Sequence, residues 1–165
     1  MRHVVISFLG KDRPGIVENI ANVVGKHNGN WQTSSLRHLS GFFGGIIEIF
    51  VDEEHAEALA KDIQSIDGIN VSVEVSHPES FQDKTITLNV TANDRQGIIG
   101  EISAVIHKQG GNLVKLVSSQ GSAPHFGQPI FKASLKIAIT GQEHIDALVD
   151  ALEGIADDLI VDVIV

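Results

Sequence analysis

Cysteine and tyrosine are both absent from the 165 residues. Without cysteine there are no disulfides, no thiolate metal ligands and no cysteine nucleophile. Positive charge is scarce. Twelve Lys and Arg stand against 21 Asp and Glu, a net charge of −9. Both halves share the imbalance, with six basic against eleven acidic residues in 1–80 and six against ten in 81–165. No basic stripe runs along the chain. Phosphate attraction dominates nucleic-acid affinity, so direct binding to DNA or RNA is not expected. Binding to an anionic membrane surface is disfavoured for the same reason. Long apolar runs are missing as well. None approaches the ~20 residues that span a bilayer, and the apolar stretch inside Met1–Leu9 is too short for a signal peptide. The expected compartment is the cytoplasm.

Catalytic motifs are also missing. The eight histidines (His3, His27, His38, His55, His77, His107, His125 and His144) include no i, i+4 ligand pair. No metal site and no cofactor are expected. Gly41-Phe42-Phe43-Gly44-Gly45 lacks the Lys-Ser/Thr ending of a phosphate loop. It reads as a hairpin turn whose two phenylalanines pack in the core, or else sit at a module interface. Ser34-Ser35 and Ser118-Ser119 have no histidine base placed by any motif, so nucleophilic catalysis is not expected. What remains is a globular composition, 42% hydrophobic.

The strongest positive feature is an internal repeat. Asp12, Arg13, Gly15, Ile16, Ile20, Val23, Lys26, Gly29 and Asn30 recur, without gaps, as Asp94, Arg95, Gly97, Ile98, Ile102, Val105, Lys108, Gly111 and Asn112. A repeat sets the architecture before any local motif does. Two small modules are expected, at 1–78 and 83–165, joined by a polar linker at 79–82. Each is near the lower size limit for independent stability.

Within copy one, His3–Leu9 is apolar and β-branched and reads as a buried strand. Gly10–Gly15 is a turn. Ile16, Ile20, Val23, Val24 and His27 follow at helical spacing, with Asp12 as the expected cap and Pro14 in the first turn. Trp31–Leu39 is extended, Gly41–Gly45 a turn and Ile46–Val51 a strand. Asp52 opens a second helix with Ala56, Leu59, Ile63 and Ile66 on its inner face. Ile69, Val71, Val73 and Val75 alternate as a closing strand. Copy two repeats the order. Its strand at Leu113–Ser119 is followed by Gln120–Pro129, which reads as a loop longer than Ser40–Gly45. His55 and His144 match across the copies and read as surface residues near a helix start. The fold class is α+β: two ferredoxin-like βαββαβ modules, each a four-stranded antiparallel sheet with two helices on one face.

The candidate site is the turn after the first strand of each copy. A helix N-terminus offers unpaired N–H groups and a partial positive charge, suited to a carboxylate. Gly15 and Gly97 remove side-chain bulk there. Asp12 and Asp94 can accept from an ammonium group, and Asn30 and Asn112 carry both donor and acceptor groups. Together these describe a site for a free α-amino acid. The competing reading is purely structural, because an Asp before a helix is also an ordinary N-cap and Asn-Gly an ordinary turn.

Asp-Arg-Pro-Gly-Ile, an amphipathic helix, then Gly-Asn and a second strand resembles the opening of an ACT domain. The resemblance covers both copies. ACT domains are small βαββαβ modules that bind amino acids and regulate a partner, with a pocket between paired modules. The resemblance implies ligand contacts at Asp12, Arg13, Pro14, Gly15, Ile16 and Asn30, and at Asp94, Arg95, Gly97, Ile98 and Asn112. Gln96 stands where copy one has Pro14, and Gly10 and Ala92 stand where some serine-binding relatives carry histidine. These departures speak against a serine-type site and for a difference between the copies. Two ACT modules without a catalytic domain are most similar to the glycine cleavage system transcriptional repressor group, a match that Leu116-Val117-Ser118 and the longer loop extend. That group implies a non-catalytic regulator that senses a small amino acid, plausibly glycine, and acts through a protein partner, a DNA-binding transcriptional activator. The second strands are expected at sheet edges, where modules can pair into a homo-oligomer or recruit a partner. The alternative function is a ligand-independent interaction module that regulates an amino-acid metabolic enzyme.

Overall fold

A computed structural model describes residues 1–77, 84–122 and 129–164. Contacts divide the chain into two units, Met1–Ser80 and Phe81–Val165. The expected linker at 79–82 lies outside the described residues.

The first unit, module one, runs β1 (Arg2–Lys11), α1 (Ile16–Lys26), β2 (Asn30–Leu39), β3 (Phe42–Val51), α2 (Glu53–Gln64) and β4 (Ile69–Ser76). Its sheet is antiparallel in the order β2-β3-β1-β4. Val4, Ile6 and Phe8 alternate along β1 and meet Ile47, Ile49 and Val51 of β3 on one face of the sheet. Ile16, Ile20 and Val24 of α1 and Ala56, Leu59 and Ile63 of α2 close the same core. Both helices therefore lie on one side. Each of these Val, Leu, Ile and Phe side chains contributes about 1.5–3 kcal/mol by leaving water, and the eleven of them, with Ala56 between, explain how a small module holds together.

Module two repeats this with β5 (Lys84–Asn93), α3 (Ile98–Lys108), β6 (Asn112–Ser122), β7 (Pro129–Ile139), α4 (Gln142–Glu153) and β8 (Ile160–Ile164), in the order β6-β7-β5-β8. Leu88 and Val90 of β5, Leu135 and Ile137 of β7, Ile98, Ile102 and Ile106 of α3, and Leu148 and Leu152 of α4 form its core. Even the irregularities recur. The register of β2 shifts between Trp31 and Ser34, and that of β6 between Leu113 and Lys115.

Three expectations are corrected. The expected turn at Gly41–Gly45 is only Ser40-Gly41, with φ of 50° and 86°, the paired positive values of a tight hairpin. Phe42–Gly45 are already strand. The glycines there serve packing: a Cβ on Gly45 would sit 2.0 Å from the Ser35 carbonyl oxygen, and one on Gly44 2.4 Å from that of Phe8. The expected loop at Gln120–Pro129 is in part strand, since Gln120, Gly121 and Ser122 pair with Phe131, Ile130 and Pro129. Residues 123–128 lie outside the described residues. Asp12 does not cap α1. The cap is Gly15 in the left-handed region, φ 89°, with no side-chain cap bond. Asp12 instead prolongs the sheet, its N–H donating to the Gly41 carbonyl at 2.9 Å.

Candidate functional site

Both repeated turns have one construction. Gly15 and Gly97 adopt φ of 89° and 84°, a conformation that disfavours any side chain. Asn19 and Glu101 donate their N–H groups back to the Gly15 and Gly97 carbonyls, which closes the first helical turn. The N–H groups just ahead of them have no intrahelical partner, although in module two the Ile98 N–H donates to the Arg95 carbonyl of the turn at 3.4 Å. In module one, Asp12, Arg13, Gly15, Ile16, Val17, Glu18 and Phe43 line an open cavity of about 370 Å³ at this end. Four of the expected site residues therefore meet in one place. Glu18 and Phe43 are additions that motif reading missed. Phe43 is half-buried against Phe8, ring centroids 5.9 Å apart, while Phe42 is exposed rather than in the core.

The side chains around the two turns differ. Arg13 donates to the Asp67 carbonyl oxygen at 3.1 Å, tying the turn to the start of β4. Arg95 instead grips Glu101 with two hydrogen bonds, one of 2.9 Å from Nη1 to Oε1 and a shorter one from Nη2 to Oε2. Module one has Asn19 at the matching position, so it has no such grip. The Arg95 hydrogen bond, followed by its charge, holds the Glu101 carboxyl below the usual carboxylate range. The same bond raises Arg95. Arg95 and Glu101 line a separate open cavity of about 540 Å³ with Ala104, Val105, Ile155 and Ala156.

The two aspartates are also met differently. The His38 Nε2 lies 3.7 Å from the Asp12 carboxylate. At the matching position Gln120 donates directly to the Asp94 carboxylate. His38 and Gln120 are 82 residues apart, the offset of the repeat itself, and that was the available signal for this pair. The distance in module one is longer than a hydrogen bond, whereas the amide of Gln120 takes up part of the accepting capacity of Asp94.

Asn30 and Asn112 are not brought to these turns within their own modules. Asn30 pairs with Phe50, which lies opposite His3 at the far end of the sheet from Lys11 and Asp12. Asn112 pairs with Ala138, equally far from Asp94, and lines a small cavity of about 110 Å³. Pro14 and Ile98 sit in the turn and at the start of α3, as their motif implies.

Histidine reading needs one correction. His144 is half-buried, not a surface residue. Its Nε2 lies 2.5 Å from the Gln109 carbonyl oxygen, joining α4 to the end of α3, and its Nδ1 accepts from the Thr140 N–H at 3.2 Å. His27 plays the matching part in module one through Asp62, 2.5 Å away. His125 lies outside the described residues. Asp52, Glu54 and His55 gather near the start of α2 with ligand atoms within 4.8 Å of one another. Asp52 and Glu54 are exposed, and such acidic groups are common at helix starts, where they face the positive end of the helix dipole. Among the described residues no helix is long and apolar enough to cross a membrane.

A pair of ferredoxin-like modules, each with a glycine-started helix beside an Asp-Arg turn, defines a tandem α+β module protein with its candidate site at the helix starts. Residues 2–74 and, separately, residues 82–162 match the ACT domain family. The chain belongs to that family and carries two of its domains. A protein of unknown function from Galdieria sulphuraria has 25% identity and a TM-score of 0.77, the match covering 98% of this chain and 96% of that one. A protein provisionally named a glycine cleavage system transcriptional repressor has the same fold, with 17% identity, a TM-score of 0.69 and coverage of 99% and 97%. The UPF0237 protein MK1213 of Methanopyrus kandleri is 28% identical over 85 residues, half of this chain and 94% of its own length. Two ACT domains point to regulation through amino-acid binding and to a regulatory rather than a catalytic role.

Proposed function

We propose that this chain is a non-catalytic amino-acid sensor of the glycine cleavage transcriptional regulator type, acting through a DNA-binding protein partner. The observation that carries this reading is the module-one turn. Helix N–H groups suited to a carboxylate open into the same cavity as Asp12 and Glu18, two carboxylates suited to an ammonium group. One small zwitterion satisfies both. The net charge of −9 supports action through a partner rather than on DNA itself. The family relationship and the full-length likeness to a provisionally named repressor support the glycine cleavage assignment.

The proposed contacts are Asp12, Arg13, Pro14, Gly15 and Ile16, completed by Asn30 from a paired module, because Asn30 is remote within its own. The equivalent set in module two is Asp94, Arg95, Gly97, Ile98 and Asn112. There Gln120 donates directly to Asp94 and Glu101 takes two hydrogen bonds from Arg95, a closer engagement than His38 beside Asp12 or the single Arg13 bond to the Asp67 carbonyl, so module one is the stronger site. The working boundaries are 1–78 and 83–165 with a joint at 79–82. A ligand that binds one conformation of the chain more tightly shifts the population toward it and so transmits the signal.

Titration calorimetry of the full chain with glycine, serine and other amino acids tests this. Heat and a thermal shift with at least one of them at millimolar levels are expected. Silence across the set refutes sensing. The exposed apolar side chains of module one favour a second reading, a ligand-independent interaction module. Capture of a regulator with an affinity that amino acids leave unchanged would select it.

A further inference from the structure

The outer face of the module-one sheet, away from the helices, meets the proposed ligand site only through Asn30, which pairs with Phe50 at the end remote from the β2–β3 turn. Because side chains alternate along a strand, the residues between the core positions of β1 and β3 lie on it. Leu9, Leu39, Phe42 and Ile46 are 46–60% exposed there. Leu39 pairs with Phe42, Leu9 with Gly44 and Ser7 with Ile46, so the four form one patch. Gly44 and Gly45 hollow out a trough of about 320 Å³ beside Leu9, Arg37, Leu39 and Phe42. Contiguous exposed apolar surface of this kind marks an interaction site more often than a scattered Leu or Ile does.

Charge on this face is sorted along the strands. Lys11 and Arg37 stand at the end that carries the β2–β3 turn, where Lys11 pairs with Phe42 and Arg37 with Gly44. Glu48 and Glu74 stand toward the other end, on either side of Val5. A face with a cationic end, an apolar middle and an anionic end complements itself. It does so only about a two-fold axis lying in the interface and crossing the strands, which sets each cationic end over the partner's anionic end. An axis along the strands would set like on like. We infer that this face is a self-association surface, covered by the same face of a second copy of the chain through that two-fold. Two-fold isologous pairing is the commonest closed arrangement of identical subunits, and aligned sheet-on-sheet packing is its natural form here. Module two lacks the continuous patch. Thr91, Gly121, Ser134 and Lys136 replace Leu9, Leu39, Ile46 and Glu48 at the matching register positions, and its exposed outer-face apolar residues lie apart, Val117 on β6 and Ile160 and Ile164 on β8.

Sedimentation of the full chain over a range of concentrations tests the inference. A monomer–dimer equilibrium is expected, with a dissociation constant raised at least about tenfold by Ile46→Lys. Leu9→Gln gives a second, milder perturbation should the first variant fold poorly by circular dichroism. Ser134→Lys, the module-two counterpart of Ile46, should leave the constant unchanged. Two charge variants locate the axis. The pair Lys11→Glu with Arg37→Glu and the pair Glu48→Lys with Glu74→Lys should each weaken self-association, and mixing the two proteins should restore it as a heterodimer. A wild-type chain that stays monomeric, a dimer indifferent to both Ile46→Lys and Leu9→Gln, dissociation by Ser134→Lys, or a mixture that fails to pair would each overturn the inference.

Discussion

Where module one has Leu9, module two has Thr91; where one has Ile46 and Glu48, the other has Ser134 and Lys136. On the helix side the same strands match closely. Ile6, Ile47 and Ile49 share a core with Ile20, and Leu88, Leu135 and Ile137 share one with Ile102. The shared inner faces account for the shared fold, because burial of those aliphatic side chains supplies most of the stability. The outer faces and the turns account for the differences in chemistry. Module one keeps an apolar outer sheet face and an Asp12 carboxylate still open to a donor. Module two has an outer face on which threonine and lysine separate Val117 from Ile160 and Ile164, with Asp94 held by Gln120 and Arg95 held by Glu101. A duplicated fold thus need not mean a duplicated site.

The comparison can be broken most strongly at the inner faces, where the modules should behave alike. Ile20→Ala and Ile102→Ala each remove a fully buried side chain and should cost about 2–5 kcal/mol of the stability of their own module. Urea unfolding followed by module-specific NMR signals would check this; a large effect in one module and none in the other would contradict equal cores. A smaller effect separates the third strands. Gly45→Ala forces a Cβ to within 2.0 Å of the Ser35 carbonyl oxygen and should cost about 1–3 kcal/mol. Module two already carries Ala133 at that position, and Ala133→Gly should cost only about 0.5–1 kcal/mol. Thermal melts of the two variants give the order.

Next come the turns. Asp12→Ala removes a charge-assisted contact worth about 1.5–3 kcal/mol and should weaken amino-acid binding roughly ten- to hundredfold. Asp94→Ala should leave that affinity within about twofold, because Asp94 is already engaged. Calorimetry on both variants decides; equal losses would mean equal sites.

The smallest effect is the acid response. Glu101 has its folded pKa lowered by Arg95. A lowered carboxyl stabilises the fold above its unfolded pKa, and that contribution is lost as pH falls through the folded value. The first turn of α3 should therefore loosen below the usual carboxylate range of about 4.5. Asn19 denies α1 this route. Protection against hydrogen exchange at the α3 start, taken relative to the intrinsic rate at each pH, should fall on acidification, and Glu101→Gln should abolish that fall.

The helices and the repeat were legible in the sequence because both rest on periodicity and offset. Ile16, Ile20 and Val24 announce α1 by spacing alone, and the same holds for Ile98, Ile102 and Ile106. Gly44-Gly45 was misread because glycine signals both a turn and a close backbone approach, and only the neighbouring strands tell which. Asp12 was misread as a cap because the turn carries three further residues before α1, which only the hairpin contact with Gly41 reveals. The pairing of His38 with Asp12 and of Gln120 with Asp94 was not legible because a cross-strand partner depends on register, and the register of β2 and β6 shifts at bulges, Trp31/Ser34 and Leu113/Lys115, that no local pattern marks. Asn30 seemed near the turn in sequence terms, yet α1 returns the chain to the opposite end of the sheet before β2 begins.

The central claim is that an amino acid binds at the glycine-started helix of module one. The most direct measurement follows the backbone amide resonances of Gly15, Ile16 and Val17, alongside those of Gly97, Ile98 and Ile99, during titration of the full chain with glycine and then with other amino acids. The account predicts saturable shifts at Gly15–Val17 that exceed any at Gly97–Ile99 and vanish in Asp12→Ala. Shifts confined to module two, or none in either module with any amino acid tried, would contradict it.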